Sequence, residues 1–279
     1  MPERPLPRPE SDALVHDATA GMERLLEIMA RLRAPDGCPW DIEQGFDTIA
    51  PYTLEEAHEV ADAIARQDWA ELKSELGDLL FQSVFHAQIA ADRGLFSFAD
   101  VVAAISDKMV ARHPHVFGSE SRDKSPEQQS LDWERIKAAE RGPARTLDGV
   151  ALALPALTRA VKLQKRAARV GFDWPSTDEV VDKIAEEARE LTEARDQMTQ
   201  AEVTEEFGDL LFVMANLARH FAVDPEEALR AANAKFLRRF NRIEDILAET
   251  GRRPEDSDLA EMDALWNRAK AEEKAAKKG

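Results

Sequence analysis

The chain has 279 residues, 44 % hydrophobic and 6 % aromatic, with a formal net charge of −17. That length suits two domains of ordinary size, and the apolar fraction is enough for real cores. The charge argues against broad nucleic-acid binding, no apolar run approaches the roughly 18 residues of a membrane span, and the lone Cys38 excludes an intrachain disulfide framework and fits a reducing cytosol.

Residues 1–15 are Pro-rich and charged, lack the apolar stretch of a signal peptide, and read as a disordered arm. A first domain, residues 16–140, opens with an amphipathic helix from Ala20 to Leu32. Arg33 to Pro51 reads as irregular, broken by Pro35, Gly37, Pro39 and Gly45. Thr53 and Glu56 form a capping-box pattern for a helix carrying Glu55-Glu56-Ala57-His58-Glu59. A helix from about Trp69 to Ala91 carries Glu75-Leu76-Gly77-Asp78, and Ser97 to Asp100 begins another that leads to Arg112 and breaks at Pro114. A polar loop, Gly118 to Ser130, and a short helix, Leu131 to Glu140, precede a linker at 141–153.

The second domain, residues 154–274, repeats the plan. A basic amphipathic helix, Leu157 to Arg169, leads into the loop Gly171-Phe172-Asp173-Trp174-Pro175. Ser176 with Glu179 caps the next helix, and Asp224-Pro225-Glu226-Glu227 is a strong helix start, with Asp as cap and Pro in the first position. A closing helix covers about Asp258 to Lys274, and a basic tail, 275–279, follows. Nothing reads as a strand, so the expected fold class is all-α, two tandem antiparallel helical bundles from an internal duplication.

The duplication is plainest in the acids. Glu186-Glu187-Ala188-Arg189-Glu190 and Glu206-Phe207-Gly208-Asp209 match the first copy, with 16 positions from Glu59 to Glu75 and from Glu190 to Glu206. Glu56 and Glu59 share a helix face, as do Glu75 and Asp78, and two antiparallel helices bring the four together. The same holds for Glu187, Glu190, Glu206 and Asp209. Clustered like charges need a cation or protons, and oxygen donors without Cys or paired His suit Mg²⁺, with Mn²⁺ as a substitute, better than Zn²⁺. A solvated acidic helix face is the bland alternative; two copies at equal spacing outweigh it.

Further along, Lys108 and Arg112 align with Lys235 and Arg239, and Trp133 and Lys137 with Trp266 and Lys270. Acids for a metal, cations for oxyanions and a Trp face for stacking make an inventory for a nucleotide polyphosphate. Helix-end charge and core packing are the competing uses of these residues. Glu55-x-x-His58 has di-iron spacing, but Arg189 stands in place of His in the second copy. His16-Asp17 sits beside the Pro-rich tail, no phosphate-cradling Gly-x-x-x-x-Gly-Lys loop exists, and Cys38 lacks a catalytic partner. His113 and His115 flank a Pro at a helix end and read as part of a turn.

The motifs Gly37-Cys38-Pro39-Trp40-Asp41, Thr48 to Glu56, Glu75 to Phe81, Arg112 to Phe117, Val170 to Trp174 and Lys235 to Phe240 together resemble the MazG family of nucleoside triphosphate pyrophosphohydrolases, over about residues 20 to 270. The resemblance implies Mg²⁺-dependent hydrolysis of NTPs and dNTPs of broad base range to a monophosphate and pyrophosphate, with nucleotide-pool housecleaning as the expected role, and a homodimer; composition adds the expectation of a cytoplasmic protein without membrane or nucleic-acid partners. The resemblance carries the metal ligands onto Glu187, Glu190, Glu206 and Asp209, with Glu56, Glu59, Glu75 and Asp78 at the matching positions of the first unit. It carries nucleotide contacts onto Lys183, Lys235, Arg238, Arg239, Trp266 and Lys270. On this reading Lys235 and Arg239 stabilise the leaving pyrophosphate, and Glu186 or Glu205 accepts the water's proton. Resemblance to two-domain members favours the second unit as the catalytic one. The residues agree modestly: Lys235, Arg238 and Arg239 face Lys108, Ala111 and Arg112 in the first, which retains its acids as a second active site, a regulatory site or a structural half. A nucleotide- or Mg²⁺-binding module without turnover is the alternative from another class.

Overall fold

The computed structural model describes residues 5–119 and 145–276, with positions 121, 123, 125, 128, 129, 132, 133 and 136 between them. Described residues form helices and turns and no strand. The chain divides into two compact units, Met1–Glu140 and Arg141–Gly279. The first holds α1 (Arg8–His16), α2 (Gly21–Leu32), α3 (Pro39–Glu43), α4 (Phe46–Arg66), α5 (Trp69–Asp92), α6 (Phe98–Arg112) and the single turn α7 (Pro114–Phe117). The second holds α8 (Ala156–Ala168), α9 (Thr177–Gln197), α10 (Gln200–His220), α11 (Pro225–Ala248), a short 3₁₀ turn and α12 (Leu259–Ala276).

Each unit is built on one helical hairpin, α4–α5 and α9–α10. Both hairpins turn in two residues, Gln67-Asp68 and Met198-Thr199. Gln67 closes α4 in the left-handed region at φ 57°. Asp68 then caps α5, accepting from the Glu71 amide at 3.1 Å. Thr199 does the same for Glu202 at 3.4 Å, and the Glu202 carboxylate accepts in return from the Thr199 amide at 2.8 Å. Caps, turns and acids all recur 131 positions apart, as Asp68 and Thr199 do. A tight turn forces the helices antiparallel and fixes which faces meet.

The first unit's core is Met29, Ile49, Val84, Phe85, Ala87, Ile89 and Phe98, flanked by Leu25, Leu26, Phe46 and Phe81. α5 supplies most of it from its second half, where small residues at Ala87, Ala90 and Ala91 let α2 and α4 approach. In the second unit Ala160, Val180, Val213, Ala215, Ile243, Ile246, Leu247 and Ala269 are buried.

Three expectations change. The arm at 1–15 contains α1, held by tertiary contacts: Asp12 to Arg31 at 2.7 Å, the Val15 carbonyl to Arg24 at 2.8 Å, and Ser11 buried. Arg33 to Pro51 is largely helical: Pro39 takes the first position of α3, where its missing N–H costs nothing, and Pro51 lies inside α4. α4 therefore starts at Phe46, where the Thr48 hydroxyl accepts from the Gly45 amide at 2.9 Å, and Thr53 is no cap; its hydroxyl meets the His86 ring at 2.9 Å. Parts of the polar loop, of the helix expected at Leu131 to Glu140 and of the linker lie outside the described residues, as do Lys137 and the tail from 277.

Candidate active site

In the second unit α9 and α10 bring Glu187, Glu190 and Glu206 together, with one carboxylate oxygen from each within 4.8 Å of the others. Glu187 is buried at 5 % exposure, Glu206 half-buried and Glu190 exposed. Asp209 is exposed one turn beyond Glu206, and its charge reaches it. Partial burial, then the charges of Glu190, Glu187, Asp209 and Glu205, push the Glu206 carboxyl above its ordinary value. One cation already sits here. Lys183, one turn before Glu187 on α9, places Nζ 2.7 Å from Glu187 Oε1 and 2.8 Å from Glu186 Oε1. These bonds raise the lysine's own pKa, so its ammonium form is secured.

The first unit assembles a different trio from the same four positions. Glu56, Glu75 and Asp78 offer oxygens within 4.8 Å of one another. Glu59 lies close enough for its charge to act on both Glu56 and Glu75. Burial and this crowding push Glu56 and Glu75 above the usual carboxylate range. Among the described residues no lysine pairs with them: the position matching Lys183 is Tyr52, which is exposed.

The remaining nucleotide-facing candidates lie on α11 and α12. The Arg239 guanidinium covers the Trp266 ring at 5.3 Å and pairs with Glu273 at 2.9 Å. Arg238 approaches the same carboxylate at 3.5 Å, and Phe236 packs on Trp266 at 5.4 Å. Lys235 and Lys270 are exposed. None of the ion pairs among the described residues joins this group to the acids of α9 and α10. In the first unit Trp133 instead donates to the Arg112 carbonyl at 3.1 Å and packs edge-on against His113 at 5.3 Å. Of the two base candidates, Glu186 is tied to Lys183, whereas Glu205 is exposed with its charge directed at Glu206.

Two family matches fall on these hairpins. Residues 44–117 match the MazG nucleotide pyrophosphohydrolase domain, and residues 154–236 match the phosphoribosyl-ATP pyrophosphohydrolase family. The nucleoside triphosphate pyrophosphohydrolase of Escherichia coli K12 is 52 % identical over 258 residues, covering 90 % of this chain and 98 % of that one. The chain belongs to the MazG family of nucleoside triphosphate pyrophosphohydrolases. A Thermotoga maritima protein, nucleoside triphosphate pyrophosphohydrolase/pyrophosphatase MazG, is 43 % identical over 250 residues, covering 89 % of this chain and 95 % of its own. The uncharacterized protein YabN of Bacillus subtilis is 41 % identical over 250 residues, covering 88 % of this chain and 51 % of its own.

As a MazG-family enzyme, the chain has donor sets that fit a divalent cation. They are all carboxylate oxygens, crowded enough to raise one another's pKa, and in the second unit an ammonium already occupies the place where positive charge is needed. Gly77 and Gly208 each stand beside the last acid in mid-helix, where an added Cβ would meet nothing within 4 Å. The pairings of Lys183 with Glu186 and Glu187 follow i,i+3 and i,i+4 helix spacing and so are contained in the periodicity.

Proposed function

We propose that the second unit hydrolyses nucleoside triphosphates, both NTPs and dNTPs of broad base range, to a nucleoside monophosphate and pyrophosphate, with Mg²⁺ as the metal and Mn²⁺ as a substitute. The carrying observation is the Glu187, Glu190 and Glu206 cluster with the Lys183 ammonium lodged against its buried member. Glu187, Glu190, Glu206 and Asp209 would hold the cation, which when bound neutralises phosphate oxygens and polarises water. With a cation held there, Lys183 would be free to turn from Glu187 to phosphate. Glu205 is the better placed proton acceptor, since Glu186 is engaged. Arg239, over the Trp266 ring, and Lys235 and Arg238 beside it would receive charge on the departing pyrophosphate, with Lys270 on the next helix.

The first unit, with its acids but without a lysine among them, serves on this reading as a structural or regulatory half. A homodimer is supported by the apolar residues left exposed on α10 and α11: Phe207, Leu211, Phe236 and Leu237. No described helix is long and apolar enough to cross a membrane. A cytoplasmic place and a task in removing unwanted nucleotides fit the lone half-buried Cys38 and the acidic charge. Pyrophosphate release from a panel of NTPs and dNTPs, with and without Mg²⁺, tests the reading. Mg²⁺-dependent release is expected, and nucleotide binding without release would instead make this a binding module.

A further inference from the structure

α8 borders a cavity on each of two opposite faces. One is lined by Gln164, Trp174, Phe212 and Asn216, the last standing where the first unit has Phe85, and it belongs to the site already described. The other, of about 360 Å³, lies between α8 and the turn from α10 into α11. Thr158, Val161, Lys162 and Lys165 form its α8 wall at i, i+3, i+4 and i+7, a single helix face. Its size is that of a small-molecule site.

This second cavity is cationic. Lys162, Lys165 and Arg219 line it, in a chain of net charge −17. Among the described residues neither lysine forms an ion pair. The Arg219 side chain is 13 % exposed, and its Nη2 is engaged by Asp173 and, at 3.0 Å, by the His220 ring. Its Nε is buried without a hydrogen-bond partner, which costs about 1–3 kcal/mol unless an acceptor is supplied. The acid in the lining, Asp224, caps α11 by accepting from the Glu226 and Glu227 amides at 2.9 and 3.1 Å. Those amides are therefore satisfied, and the three side-chain cations make the site.

The first unit shows what the same helix face accepts. Arg31 and Lys165 each precede their unit's Gly37–Trp40 or Gly171–Trp174 motif, nine residues before the Trp. On that register Arg31 matches Lys165 and Glu27 matches Val161. In the first unit this face of α2 is covered by α1: Asp12 accepts from Arg31 at 2.7 Å, and the Leu6 amide donates to Glu27 at 3.1 Å. The second unit has no helix ahead of α8 among its described residues. Its cations are left facing a cavity where the first unit supplies a carboxylate.

We propose that the cavity between α8 and the α10–α11 turn is a second anion site, binding inorganic phosphate or pyrophosphate through Lys162, Lys165 and Arg219. Phosphate oxygens suit it because a guanidinium N–H and two ammonium groups can each take a separate oxygen. The site needs no metal and stands independently of the hydrolase reading.

The test is isothermal titration calorimetry of the full chain in EDTA, with phosphate and with pyrophosphate as the two probes. Without metal, the carboxylates of α9 and α10 repel either anion. Wild type is expected to bind, and Lys162→Met/Lys165→Met to weaken Kd by about tenfold or more, since both positions are exposed and the variant should fold. Lys235→Met/Arg238→Met should bind as wild type does. The tighter of the two probes names the occupant. Wild type that binds neither anion, or a double-lysine variant whose Kd stays within about threefold of wild type, overturns the site. So does binding lost in Lys235→Met/Arg238→Met and kept in the double-lysine variant, which would place the anion at the catalytic cations. None of these outcomes bears on pyrophosphate release, so the hydrolase reading fails or survives separately.

Discussion

The hairpins α4–α5 and α9–α10 share a two-residue turn, a capped second helix and four acids, yet the residues around those acids differ. Phe85 is buried in the first with Trp40 edge-on to it, and Tyr52 occupies the position that matches Lys183. The second has Lys183 on Glu187, unpartnered amide oxygens at Asn216 and Gln164, and Arg239 over Trp266. The two copies thus share the framework that positions the acids, while the surroundings differ.

The largest effect that would break this contrast is in the core. Phe85→Ala should destabilise the first unit by about 3–5 kcal/mol, whereas Asn216→Ala, which removes no hydrogen bond, should cost about 1 kcal/mol or less. Chemical denaturation of both variants checks this, and similar costs would mean the two positions are equally packed. Next comes Lys183→Met. Without metal it leaves Glu187 buried and unpaired, and should cost about 1–2 kcal/mol, recovered on adding Mg²⁺. Tyr52→Phe at the matching position should show neither effect. If thermal melts of Lys183→Met were unchanged without Mg²⁺, the lysine would not be the stand-in cation.

The smallest effect is an acid-side difference. Glu261, bonded to Arg252 at 2.7 Å and Ser257 at 2.7 Å, is lowered from its ordinary 4.5 to about 2. A depressed carboxylate contributes above its unfolded value and loses that contribution as pH falls through its folded one. Wild type should therefore exceed Glu261→Gln at neutral pH, with the gap closing between about 4.5 and 2. The first unit has no described equivalent, so only the second unit's transition should shift. A gap independent of pH would contradict the assignment.

Much of this was legible in the sequence, for stated reasons. Carboxylates at i,i+3 in two copies fix a shared face, and Asp224-Pro225 and Ser97 with Asp100 mark their helix starts chemically. What failed depended on distant contacts. The first residues form α1 because Arg31, Arg24 and a buried Ser11 hold them, and none of those lies in the local pattern. The dense Pro and Gly between Arg33 and Pro51 suggested irregular chain, but a Pro at a first helical position starts a helix as readily as it ends one. Asn216 was invisible for the opposite reason. An Asn in Leu-Leu-Phe-Val-Met-Ala-Asn reads as an ordinary polar break, and only the cavity shows it buried without partners. The split of four acids into different trios also needed side-chain positions, since spacing makes the two copies identical.

The central claim is that the second copy performs the hydrolysis. Pyrophosphate release with Mg²⁺ should be measured for wild type, Glu59→Gln and Glu190→Gln, with circular dichroism confirming that all three are folded. The account predicts near-complete loss in Glu190→Gln and retained turnover in Glu59→Gln; loss in Glu59→Gln with activity intact in Glu190→Gln would contradict it.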